Sequence, residues 1–174
     1  MDLPRTAAGV AGLSSIALGI VTLTGPTVPD ENWGSRGAVV NALGLVTFAA
    51  LVVAAELLPT LVPLSRVGTV AVRVAQLGLV LMSLESVASQ VHGGNILGPV
   101  FMIGLLLTLV GFLVSGIDGM RRRGARWLSL VPFVALVIAI GAGDRGGFLV
   151  LGLVWCGLAV GVPARRDLAE AVSG

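Results

Sequence analysis

Glu85, Ser89 and His92 stand at i, i+4 and i+7, the spacing that puts three side chains on one face of a helix. A carboxylic acid, a hydroxyl and an imidazole in a row can hold and pass a proton. A second set shares the same stretch. Thr69, Gln76, Ser83 and Gln90 recur every seven residues with Arg73 interleaved, which draws one polar stripe on a 3.5-residue period. Asp30, Glu31, Trp33, Arg36, Asp144 and Arg145 are expected on loops at the same end as Glu85 and His92, and Asn41 of the second span is a candidate partner for the stripe there. The expectation is a polar pocket opening at that end. Its ligand-binding candidates are Asn41, Gln76, Ser83, Glu85, Ser89, Gln90, His92, Trp33 and Arg145, with the stripe facing the interior. If chemistry occurs there, Glu85 is the candidate acid and His92 and Asp144 its assistants.

The rest of the composition removes whole classes of chemistry. Cys156 is the single cysteine, so one chain can form no internal disulfide, zinc cage or CxxC redox pair. His92 is the single histidine, which excludes bis-histidine haem ligation and the HExxH zinc motif. No lysine is present, so Schiff-base chemistry is excluded. No Gly-rich phosphate loop and no GxSxG elbow occurs. No cofactor and no metal site is expected.

The elements that must position these residues are strongly apolar. The chain has 174 residues, 56% hydrophobic and 11% charged, with a mean hydropathy of +1.01. A soluble domain carries about 25% charged residues, so lipid is the expected solvent. Six apolar stretches can be read, roughly 7–24, 37–58, 67–91, 96–117, 127–142 and 147–162. Four come near or above the ~20 residues that cross ~30 Å of hydrocarbon, and the last two must lean on flanking residues or a thinned bilayer. The breaks between them hold Gly25-Pro26, Pro59 with Pro63, Gly93-Gly94-Asn95, Asp118 to Arg126 and Gly143-Asp144-Arg145-Gly146. The expected fold is all-α: one polytopic integral membrane domain, residues 1–174, of six transmembrane helices in a single bundle.

Arginines orient it. Arg5, Arg66, Arg121, Arg122, Arg123, Arg126, Arg165 and Arg166 fall on one side, Arg36 and Arg145 on the other, and Arg73 inside the third span. The positive-inside rule then puts both termini in the cytoplasm. Basic residues that are all arginine, in an Ala/Val/Gly/Leu-rich chain, point to a GC-rich bacterial coding sequence and so to the plasma (inner) membrane. Net charge is only +2, so the arginines report orientation and no nucleic-acid partner is expected. Six spans, cytoplasmic termini and short loops resemble the membrane-embedded binding components of vitamin importers in architecture and size. No motif carries that likeness, and no binding residue transfers through it.

Two expectations concern cohesion. Glu56 near the cytoplasmic end of the second span and Arg73 in the antiparallel third reach similar depth, which predicts a structural ion pair between them. Ala7, Ala11, Ser15 and Gly19 at four-residue spacing, and Gly157-x-x-x-Gly161, predict faces for close helix packing, within the bundle or against a partner.

Three functions fit these features. The first is a non-enzymatic membrane protein that binds or passes a small lipophilic ligand, or serves as an accessory subunit with a membrane partner or a second copy. The second is an intramembrane acid–base enzyme acting on a hydrophobic substrate, of the isoprenoid cyclase or isomerase type. The third is a proton-coupled exporter built on Glu85.

Overall fold

A computed structural model describes residues 2–24, 34–93, 97–122 and 128–161. Among them the secondary structure is helical throughout, with no strand. Six helices follow the six apolar stretches. They are α1 (Leu3–Leu23), α2 (Gly34–Ala54), α3 (Arg66–His92), α4 (Gly98–Arg121), α5 (Val131–Gly141) and α6 (Gly147–Gly161).

The boundaries follow local chemistry. Pro4, Pro99 and Pro132 sit in the first turns of α1, α4 and α5, where a missing N–H costs nothing. Pro59 acts differently, because it lies where α2 would otherwise continue. Its ring crowds the carbonyl four residues back, at Ala55. The chain tightens into a 3-10 turn over Ala55–Leu57 before a last helical turn, Leu58–Leu61. Val62 then turns extended ahead of Pro63. Ser65 caps α3 by accepting from the Gly68 amide at 3.2 Å. Gly93 ends it in the left-handed conformation, φ 72°.

Each helix packs on its neighbour in sequence, and α6 returns to lie along α1. The α4–α5 seam is the thinnest of these contacts. The buried apolar side chains form one cluster to which every helix contributes, among them Ala11, Leu51, Leu79, Phe112, Leu136 and Trp155. Phe48 of α2 meets Phe101 of α4 edge-on, with ring centres 6.0 Å apart.

Two seams depend on absent side chains. Between α3 and α4, a Cβ on Gly104 would stand 2.6 Å from the Gly78 carbonyl oxygen. Between α1 and α6, a Cβ on Gly152 would stand 2.6 Å from the Gly12 carbonyl. Such backbone approach maximises dispersion contact where the hydrophobic effect supplies little drive. The expected α1 face is partly in use: Ala11, Ser15 and Gly19 are buried, and Gly19 lies against Leu149. The expectation of in-bundle packing at Gly157 and Gly161 is corrected. Both are exposed, with nothing among the described residues within 4 Å of an added Cβ. Trp155 and Leu158 occupy the inward face of α6 instead, and a helix cannot turn both faces to one neighbour.

Candidate functional site

Four polar networks among the described residues bear on the candidate site, three of them tied to an element boundary or seam. Toward the Pro59 end of the α2–α3 seam, Arg73 donates through Nη1 to the Glu56 carboxylate and to Gln76 Oε1 at 2.8 Å. Gln76 in turn donates through Nε2 to the Val52 carbonyl at 2.7 Å and to Glu56 Oε1 at 2.8 Å. The antiparallel run of α2 and α3 puts Glu56 and Arg73 at one depth, and the 3-10 turn at 55–57 places the carboxylate over α3. At the other end of the same seam, Asn41 Nδ2 donates to the Ser86 carbonyl at 2.7 Å and to Gln90 Oε1 at 3.0 Å.

The third network joins α3 to α4. Asp118 accepts from the Ser65 amide at 2.7 Å and from the Ser65 hydroxyl at 2.8 Å, while Arg122 Nε lies 4.0 Å from Asp118 Oδ2. The fourth is internal to α3: Ser89 donates its hydroxyl to Glu85 Oε1. Both residues are buried, Glu85 at 6% exposure. Elsewhere, Thr47 of α2 donates to Ser14 of α1 at 2.9 Å. Ser15 Oγ and Trp155 Nε1, on neighbouring helices, are buried without a hydrogen-bond partner.

The polar stripe of α3 does not face the interior, as its period had implied. Gln76 is buried at 8% exposure, Ser83 and Thr69 are half-buried, and Arg73 (60% of its side chain) and Gln90 are exposed. The face that meets α4 carries Gly68, Ala71, Ala75, Gly78 and Met82. At about 100° per residue the stripe lies roughly a third of a turn or more from that face, along α2 and out onto the open flank. Close packing claimed the small residues first. Ser83 then satisfies its hydroxyl on the Leu79 carbonyl of its own helix, at 2.9 Å.

The expected single pocket is likewise dispersed among the described residues. His92 is exposed, its Nδ1 3.0 Å from the Ala88 carbonyl. Asp144 and Arg145 are exposed on the 3-10 turn between α5 and α6. That turn packs on α1, where Gly146 meets Leu23, and not on α3. The Glu85 carboxylate takes the Ser89 hydroxyl of its own helix. Asp30, Glu31 and Trp33 lie outside the described residues.

The open space is elsewhere. A recess of about 390 Å³ lies between the end of α4 and the outer sides of α5 and α6. Met120, Leu130, Val131, Val134, Ala135, Ile138, Val150 and Val154 line it, and every one is apolar. It sits where α4 and α5 pack thinly, because α5 has only eleven residues and begins after a three-residue turn. Sequence reasoning looked for polar residues and so passed over it. The available signal was the shortness of the fifth apolar run. Asp118 was passed over too; it signals itself only as a lone acid one turn before Arg121 and Arg122.

Among the described residues no group of three or more His, Cys, Asp or Glu is placed to hold a metal ion. Comparison with protein-family models, with curated proteins and with solved structures finds no match to this chain.

Proposed function

We propose that this chain is a multi-pass membrane protein of six crossing helices, which acts by holding a lipophilic molecule at its side. The length and hydropathy of Leu3–Leu23, Gly34–Leu61, Arg66–His92 and Gly98–Arg121 support the crossings. The shorter α5 and α6 cross by drawing on flanking residues and a locally thinned bilayer. An outer surface bearing Leu13, Leu84, Leu153 and Val160, the last at 86% exposure, suits acyl chains and not water. Arg5, Arg66, Arg121 and Arg122 share one end of the bundle and Arg36 and Arg145 the other, so the Arg121 end is assigned to the cytoplasm. The arginine-only, Ala/Val/Gly/Leu-rich composition supports reading that membrane as a bacterial plasma membrane.

The single observation that carries the binding reading is the wholly apolar 390 Å³ recess, within the size range of small-molecule sites. Glu56, Arg73, Gln76, Asn41 and Gln90 are meanwhile engaged with one another along the α2–α3 seam. Organic extraction of the protein purified in mild detergent is expected to release a co-purifying lipophile, detected by mass spectrometry. Val134→Trp, which fills the recess, is expected to remove it while the melting temperature holds. Identical extracts from the two proteins would overturn the reading.

A second reading, the intramembrane acid–base enzyme, rests on Glu85, a buried carboxyl whose described partner is the Ser89 hydroxyl. Glu85→Gln preserves shape and removes the proton. Turnover of a hydrophobic substrate that vanished in this variant, with folding intact, would favour it.

A further inference from the structure

We infer that the recess seats one acyl chain of an anionic phospholipid whose headgroup is held by Arg121 at the cytoplasmic end of α4. The inference rests on the membrane and recess reading above and adds the chemical class of the ligand.

The shape of the recess argues for a chain. Leu130, at the N-cap of α5, and Val131, Val134, Ala135 and Ile138 lie along one face, and the eight rises from first to last measure roughly 12 Å at 1.5 Å each. Val150 and Val154 of the antiparallel α6 form the opposite wall, and Met120 closes one end. The result is a slot along the helix axis, open sideways, with no polar side chain in its lining to orient a compact polar ligand. A flexible methylene chain fills such a slot at small desolvation cost, since lipid surrounds it on both sides of the exchange.

The chemistry of the closed end argues for an anion. Met120 is followed directly by Arg121 and Arg122, both exposed. The nearby Asp118 carboxylate is already engaged by the Ser65 amide and hydroxyl, and Arg122 leans toward it at 4.0 Å. Arg121 makes no hydrogen bond and no ion pair within 4 Å among the described residues, although its charge, with that of Arg122, acts on Asp118. The dipole of α4 ends negative here and that of α5 begins positive. The two offset each other, and the arginines set the sign. Arg121 follows the lining residue Met120 by one position, so its long side chain can reach the phosphate of a lipid whose acyl chain fills the slot, and basic sites between helices on the cytoplasmic side take anionic headgroups.

The test is competition between lipids on delipidated, detergent-purified protein. Native mass spectrometry counts retained phosphatidylglycerol and phosphatidylcholine, added separately, on wild type, Arg121→Gln and Val134→Trp, with melting temperatures recorded for each. Wild type is expected to retain phosphatidylglycerol about fivefold better, the effect of one arginine beside an anionic headgroup. Arg121→Gln is expected to level the two lipids, and Val134→Trp to lose both without a change in melting temperature. Equal retention in wild type, or an unchanged preference in Arg121→Gln, would overturn the headgroup assignment. A co-purifying lipophile still sensitive to Val134→Trp would then leave the recess reading standing. Phosphatidylglycerol retained by Val134→Trp would place the lipid elsewhere on the surface and overturn the proposal. A lipid-free wild-type dimer that Val134→Trp dissociates would assign the recess to a second copy, and would equally overturn it.

Discussion

Gln76 shows how a polar side chain is accommodated in this chain. Its carboxamide accepts from Arg73 of its own helix and donates to both Glu56 and the Val52 carbonyl, so one buried group ties α3 to α2 and its terminal turn at two points. Arg73 sits on the open flank with 60% of its side chain exposed, where its long stem can carry the charge toward the interface. Burial decides which of the two matters more for stability. Gln76→Leu is expected to lower unfolding stability in detergent by roughly 1 kcal/mol, the scale of an interhelical hydrogen bond in a membrane protein. Arg73→Leu is expected to cost less, because an exposed ion pair contributes little. Denaturant titration of both variants checks the order, and a larger loss for Arg73→Leu would overturn it. The contact of Glu56 with Arg73 was legible from depth alone, since two antiparallel helices joined by a short turn bring equal depths together. The Asp118–Ser65 contact was not, because it needs the rotation of α4 about its own axis, which no single-helix pattern contains.

Seams between elements are decided by small residues, and periodicity does not say which small residues. Gly78 and Gly104 hold α3 and α4 at backbone contact, whereas Gly157 and Gly161 look outward from α6. Gly78→Leu is expected to separate α3 from α4, and overpacking of this kind costs about 1–3 kcal/mol or more. The protein should then elute from size exclusion as aggregate or broad species. Gly157→Leu meets open space and is expected to elute and melt as wild type. A wild-type profile for Gly78→Leu would show that the seam is looser than described, and a change in assembly size with Gly157→Leu would reveal an intermolecular contact on α6. Helix boundaries were the legible part at this scale, because Pro59, Pro63 and Gly93 act through their own backbone and Ser65 through a hydroxyl bonded to the amide three residues on. The 3-10 turn at 55–57 follows from Pro59 in the same way.

For the whole molecule, the arginine asymmetry carries a topological prediction. Alkaline phosphatase fused after Gly93 is expected to be active, and the same reporter after Gly174 inactive, with a fluorescent reporter giving the complementary pattern. The reverse pattern would invert the orientation and move the Arg121 end of the recess away from the cytoplasm. The number, order and limits of the helices are local properties, carried by runs of apolar residues and the prolines, glycines and caps between them, and the chain's own sequence determined them. Which face of each helix turns inward was a matter for the tertiary structure alone. On α3 the alternatives were a polar stripe and a face of glycine and alanine. The second won the contact with α4 because dispersion between closely approaching backbones outweighs what polar groups gain inside, when those groups can be satisfied along a neighbouring seam. The recess between α4, α5 and α6 belongs to the same level. It is a gap between elements, created by the shortness of one helix against its neighbours, and no residue encodes it by itself.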